Sequence, residues 1–256
     1  MTPQHIKTKL RAGESVFGTM ISLCRTPDIA LILAHAGMDF VLIDTEHGAF
    51  STETVADLCR ACRSVDLTAI VRIPGRGPEH ISRTLDIGAD GLMVPHVDTR
   101  EEAAEIVRWA KYQPEGERGL SLTGAQTGWR GGPSPEAVMA DQNAATLLVL
   151  QIESRAGIAN IEGIVSVPNV DVCLVGPNDL SASYGYPGRW EEPEVDAAIQ
   201  HLTDACRAAG VAAGIHPGAV ETCRQWRDRG MTFLPASSDA GLLASAARAS
   251  AEAFWS

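Results

Sequence analysis

The chain has 256 residues, 45% of them hydrophobic, and a formal net charge of −11. That acidic balance, with no basic stripe or arginine-rich tail, argues against a nucleic-acid binder. No apolar run approaches the roughly 18 residues of a membrane span, and the first twenty residues lack a signal-peptide core, so a cytoplasmic protein without membrane contact is expected.

Apolar β-rich runs alternate with helical patterns along the whole chain. Strands are predicted at Val16–Ser22, Phe40–Ile43, Ala69–Ile73 and Gly91–Val94. Helices follow at Pro27–Ala36, from Ser51, at Glu79–Ile87 with Gly88 behind it, and from Thr99. Thr99 and Glu102 have capping-box spacing. Between Gln113 and Asn143 the period breaks in a stretch rich in Gly, Pro, Ser and Thr, too long for an ordinary βα loop. Strands resume at Leu147–Ile152, Val170–Val175, Val211–Ile215 and Thr232–Pro235, and an alanine-rich helix at Ala240–Phe254 closes the chain. Eight strands, each followed by a helix, with no shift that marks a linker, predict a single (β/α)8 TIM barrel over residues 1–256. A doubly wound sheet is the alternative, and no GxGxxG follows the first strand to support it.

Barrel chemistry gathers where strands end. The second strand ends in Asp44-Thr45-Glu46-His47-Gly48, the third in Arg72, the fourth in Pro95-His96 and the fifth in Gln151 and Glu153. The sixth ends in Gly176-Pro177-Asn178-Asp179, the seventh in His216 and the eighth in Ser237 and Ser238. The opposite ends are plainer: Glu14, Asp39, Thr68, Asp90 and Thr146. Glu153 and Asp179, at the same end of neighbouring parallel strands, make a seat for a hard divalent cation such as Mg²⁺ or Mn²⁺. Gly176 lets backbone amides approach a bound anion. Asp44 beside His47 is expected to orient the imidazole as a general base; a locally bonded loop histidine is the plainer reading. Arg72 suits charge stabilisation of an oxyanion or enolate, against a structural ion pair with Asp44 or Asp86.

Only three lysines are present, Lys7, Lys9 and Lys111, and none falls at a strand's C-terminal end. A Schiff-base mechanism has no amine here, so carbonyl activation points to a cation acting as Lewis acid. The six cysteines are scattered, and Cys59 and Cys62 form a lone CxxC inside an expected helix, without the second pair of a zinc site. Reduced, buried thiols are expected.

DTEHG after the second strand, VRIP at the third, GADGLMVPHVDTREEAAEIVRWAKYQPEGERG, and IES…GPNDLSASYGYPG stand in this order between about Phe17 and Ala247. Together they resemble the HpcH/HpaI aldolase family. The resemblance implies a class II pyruvate aldolase that cleaves a 4-hydroxy-2-oxo acid to pyruvate and an aldehyde. It implies that Glu153 and Asp179 hold Mg²⁺, Mn²⁺ or Co²⁺, that Asp44 and His47 work as the base, and that Arg72 stabilises the enolate oxygen. It further implies a pyruvate carboxylate near Gly176, Pro177, Asn178 and Asp179, with Gln151 in support. A homo-oligomer, hexamer or trimer, is implied, with the C-terminal segment Asp239–Phe254 exchanged between subunits. The chain departs from the family pattern at SLTGAQTGWRGG, at Met20 where tryptophan is frequent, and at His216 where apolar residues are usual. A CoA-ester lyase of the citryl-CoA or malyl-CoA type, an oxaloacetate decarboxylase and a silent barrel that only binds small acids are the competing readings.

Overall fold

The computed structural model describes residues 3–256. Eight parallel strands close into a barrel in chain order. They are β1 Val16–Ile21, β2 Phe40–Asp44, β3 Thr68–Arg72, β4 Gly91–Val94, β5 Leu147–Ile152, β6 Val172–Val175, β7 Ala212–Ile215 and β8 Phe233–Ser238. Helix α1, Pro3–Arg11, precedes the first strand. Around the barrel run α2 Asp28–His35, α3 Thr52–Ser64, α4 Pro78–Asp86, α5 Arg100–Ala110 and α6 Pro135–Ala145. Two short helices, α7 Arg155–Ala159 and α8 Ile161–Val165, lead to β6. Then come α9 Pro177–Ser183, α10 Pro193–Ala209, α11 Val220–Asp228 and α12 Asp239–Trp255. The (β/α)8 expectation holds, and none of the helices of the described residues is long and apolar enough to cross a membrane.

Each strand sends alternate side chains to opposite faces. Val41, Ile43, Ala69, Val71, Leu148, Leu150, Cys173 and Val175 pack outward against the helices. Phe40, Leu42, Ile70, Leu147, Val149, Val172 and Leu174 fill the interior. There Phe40 and Phe233 stack with centroids 4.3 Å apart. Gly18 and Gly214 make room for them, because a Cβ at either would press on the facing phenylalanine. Ile6 and Leu10 of α1 join this interior cluster and plug its N-terminal end.

That end carries polar fasteners. Asp39, Asp90 and Asp171 precede β2, β4 and β6, and each accepts the backbone N–H at the start of the preceding strand. The donors are Phe17 at 2.9 Å, Ala69 at 3.0 Å and Leu148 at 2.9 Å. Lys9 pairs with Asp39 and Lys7 with Asp171, both at 3.0 Å, tying α1 down. Lys111 is fully buried and donates to the carbonyls of Asn143 (2.6 Å) and Thr146 (3.0 Å). Burial, then the charge of Lys7, pulls its ammonium down to about 8. The β7–β8 join has no such aspartate and a single register pair, Gly214 with Phe233.

The stretch read as irregular from Gln113 to Asn143 contains most of a helix, α6. Ser134 caps it by accepting from Ala137 N at 3.2 Å, and Pro135 sits at its first position. Its Ala, Asp, Gln and Asn composition gives almost no apolar stripe, which hid its period. The remaining loop is buttoned by its own side chains. Tyr112 is buried with its hydroxyl on Ser121 O at 3.1 Å, and Arg118 stacks over Tyr112 while pairing with Asp86 at 2.6 Å. All six cysteines are free thiols.

Candidate active site

The inward side of the alternation continues past the apolar layers to Asp44 on β2, Arg72 on β3, Gln151 on β5, Glu153 just after it, and Gly176 after β6. Asp44 and Arg72 are register partners. The guanidinium meets the carboxylate at two points, Nε to Oδ1 at 2.9 Å and Nη2 to Oδ2 at 2.8 Å. Arg72 Nη1 lies 3.2 Å from Glu46 Oε2, and the Met20 sulfur lies 4.0 Å from Nη2. Burial pushes the Asp44 carboxyl up, but the hydrogen bonds and charge of Arg72 outweigh it and leave it below the usual range. Arg72 is likewise raised against its burial by Asp44, Glu46 and Glu153, so it stays charged.

Glu153 is buried and accepts two hydrogen bonds, from the backbone N–H of His96 to Oε1 at 2.9 Å and from Gln151 Nε2 to Oε2, while His96 Nδ1 lies 2.9 Å from the same Oε1. His96 has a left-handed backbone, φ 54°, and Arg76 donates to its carbonyl at 3.0 Å. A non-glycine residue in that region is uncommon and clusters at functional sites. Its Nε2 lies 3.5 Å from Glu46 Oε1, which links the Arg72 and Glu153 sides. Burial pushes the Glu153 carboxyl up, and neighbouring Asp179 adds to it. A Cβ at Gly176 would collide with Glu153, so that carboxylate lies directly against the backbone after β6. Asp179 is exposed at the mouth in the first turn of α9, with no hydrogen bond or ion pair among the described residues.

Two sequence expectations meet a different geometry. Asp44 does not bond the His47 imidazole. Its oxygens are filled by Arg72 and by the backbone N–H groups of Glu46 (3.1 Å) and His47 (3.3 Å), while the His47 side chain is exposed. Among the amides around Gly176–Asn178, Gly176 N donates to Ile152 O at 3.3 Å and Pro177 has no N–H. Asn178 N and Asp179 N, without intrahelical acceptors in this first turn, are the ones free to bind an anion. Glu46 was not singled out from sequence, though it stands inside DTEHG. Asp239 was missed as well. Its carboxylate accepts from Ser22 N (3.1 Å), Leu23 N (3.0 Å) and Cys24 N (2.6 Å), fixing the loop after β1.

Three carboxylates, Asp44, Glu46 and Glu153, thus act on the Arg72 guanidinium, and a fourth, Asp179, neighbours Glu153. An anionic substrate is repelled by that balance unless a cation accompanies it. Glu153 and Asp179 offer hard oxygen donors that fit Mg²⁺, Mn²⁺ or Co²⁺. No cluster of three or more His, Cys, Asp or Glu among the described residues stands ready to enclose a metal, so water and substrate oxygens would complete the shell. A concavity of about 840 Å³ lies at the opposite end among Arg63, Asp90, Arg130 and Asp141 and shares none of these groups.

Residues 19–246 match the family model of HpcH/HpaI aldolase/citrate lyase. A 5-keto-4-deoxy-D-glucarate aldolase of Klebsiella pneumoniae is 34% identical over 98% of this chain and 97% of its own. A hydroxypyruvate/pyruvate aldolase of Chromohalobacter salexigens is 40% identical over 85% of each chain. The crystal structure of an HpcH/HpaI aldolase from Desulfitobacterium hafniense matches with a TM-score of 0.92 at 34% identity, covering 97% of this chain and 96% of that one. The chain belongs to the HpcH/HpaI aldolase/citrate lyase family and is a carbon–carbon lyase.

Proposed function

We propose that this aldolase is of class II, dependent on a divalent cation, and cleaves a 4-hydroxy-2-oxo acid reversibly to pyruvate and an aldehyde. The observation that carries this reading is the excess of carboxylate over guanidinium at the mouth, with Glu153 buried and Asp179 free. A cation held by Glu153 and Asp179 would polarise the keto oxygen as a Lewis acid. Arg72 is oriented by Asp44 and Glu46 and keeps further N–H groups for the same oxygen, where charge grows as the enolate forms. The amides of Asn178 and Asp179 seat the carboxylate. His47 takes the proton of the C4 hydroxyl as the C3–C4 bond breaks, and returns it to C3 of the enolate.

The test is exchange of the pyruvate methyl protons in D₂O, followed by NMR with Mg²⁺, Mn²⁺ or Co²⁺ and then EDTA. Fast exchange abolished by EDTA is expected. No exchange with any of these cations would overturn the reading in favour of a CoA-ester lyase.

The same family reading includes a homo-oligomer with α12 exchanged. In support, α12 buries only Asp239 against its own barrel, while Leu243, Phe254 and Trp255 are 63%, 77% and 83% exposed. Ile32 on α2 is 61% exposed as well. Apolar faces of this kind mark a protein–protein contact, here with a second copy.

A further inference from the structure

The concavity of about 840 Å³ at the N-terminal end of the barrel has the size of a small-molecule site and lies apart from the mouth. Three helices end against it: α3 through Arg63, α4 through Ala89 just beyond it, and α6 through Asp141 and Ala145. Helix C-termini carry partial negative charge. Against them stands one N-terminal turn, that of α1, which brings Gln4. Lys7 and Lys111 lie behind the wall, both donating to Thr146 O at 3.0 Å, and Lys7 is answered by Asp171.

The polar groups of the wall are mismatched in one direction. Arg63 turns to the wall itself, donating to the carbonyls of Ala125 and of Gly88 (3.2 Å) and standing 3.6 Å from Asp90. Asp66 and Asp141 are exposed, and neither carboxylate has a hydrogen bond or ion pair among the described residues. Gln126 is 7% exposed; its Nε2 donates to Ser121 O, and its Oε1 is buried without a partner. Gly124 keeps side chains away from that oxygen, because a Cβ there would collide with it. Arg130 is the one lining cation without a side-chain partner among the described residues, so unused acceptors outnumber it. Trp129 stands between the wall residues Gly128 and Arg130, 72% exposed and with a left-handed backbone, φ 62°. A bulky residue rarely takes that conformation, and an indole face is the strongest aromatic partner for a cation. No three His, Cys, Asp or Glu of the described residues are grouped to enclose a bare metal ion. An anion would meet two uncompensated carboxylates and three helix C-termini. We propose that this concavity binds a short alkyl diammonium ion, its charges met by Asp66 and Asp141 and an N–H supplied to the Gln126 amide oxygen. The site is independent of the aldolase reading.

The experiment is calorimetric titration of the full chain at low salt with three probes: 1,4-diaminobutane, neutral 1,4-butanediol of the same length, and inorganic phosphate. Diaminobutane is expected to bind once per chain, and the diol and phosphate not at all. Asp141→Asn is expected to weaken diaminobutane by about tenfold, the scale of a hydrogen bond to a charged group. Arg130→Ala, which removes the like charge, is expected to tighten it. Should Asp141→Asn unfold, Asp66→Asn on a different element carries the same comparison. No heat from diaminobutane at millimolar concentration, equal binding of the diol, binding of phosphate instead, or an affinity indifferent to both aspartates would each overturn the assignment. None of these outcomes bears on proton exchange of pyruvate, which tests the aldolase reading separately.

Discussion

His96 meets Glu153 Oε1 with two nitrogens, donating its backbone N–H at 2.9 Å and bringing its ring Nδ1 to 2.9 Å from the same oxygen. The carboxylate is therefore aimed before any ligand arrives, and its loss differs from the loss of its holder. Glu153→Ala should lower Mn²⁺ affinity by more than the roughly 10–100-fold typical of an outer partner. His96→Ala, which keeps the backbone donor, should fall within that range. Calorimetric titration separates the two, and full activity of Glu153→Ala in EDTA would refute the cation assignment.

Arg72 has a different role from its neighbours. Arg72→Ala should abolish pyruvate exchange while leaving Mn²⁺ affinity nearly unchanged. Arg72→Lys should restore little, because an ammonium cannot meet Asp44 at two points. A parallel loss of cation affinity in Arg72→Ala would remove the enolate role. Asp44→Ala leaves a buried guanidinium without its main partner and should cost about 3–5 kcal/mol in urea unfolding.

Asp239 tests how the loop after β1 is held. Burial raises its carboxyl, but the N–H groups of Cys24, Ser22, Leu23 and Ala240 bring it below the usual range. A depressed folded value means stability that is complete above the unfolded value of 3.8 and lost as pH falls through the folded one. Asp239→Asn should lose about 1–3 kcal/mol at pH 7 and show a smaller acid-induced drop than wild type. Equal acid profiles would remove this role.

Lys111 works in the other direction. Its folded value of about 8 lies below the unfolded 10.5, so the unfolded chain binds more protons between them and stability rises with pH across that window. Unfolding free energies at pH 7.5 and 10.5 should differ between wild type and Lys111→Met by about 3 kcal/mol in this sense. The difference between proteins cancels titrating thiols and tyrosines. Parallel profiles would show that Lys111 titrates normally.

The C-terminal helix makes the last prediction. Removing residues 243–256, or introducing Leu243→Asp with Trp255→Ser, should lower the sedimentation mass of the assembly. An unchanged mass in both forms would place the subunit contact elsewhere.

Much of this was legible because strand alternation is short-range. Once β2, β3 and β5 are placed, parity alone turns Asp44, Arg72, Gln151 and Glu153 inward. What sequence could not resolve was choice among partners. Asp44 stands three residues from His47 and twenty-eight from Arg72, yet the cross-strand register puts it against the guanidinium. Helix α6 escaped because its Ser-Pro-Glu start has no apolar face behind it. Asp39 and Asp90 read as plain polar ends and Asp171 fell inside the expected sixth strand, since an acceptor aimed at a neighbouring strand has no local signature.

Those three aspartates divide the wall into stapled pairs, β1 with β2, β3 with β4 and β5 with β6, and leave β7 with β8 unstapled. At its upper end that last join is tied by His216 to Ser237 O, and by Ser237 N to Pro217 O at 3.0 Å. Of the four pairs counted in this way, β7–β8 is the one held from its upper end, where an imidazole stands in for the carboxylate that the other three carry below.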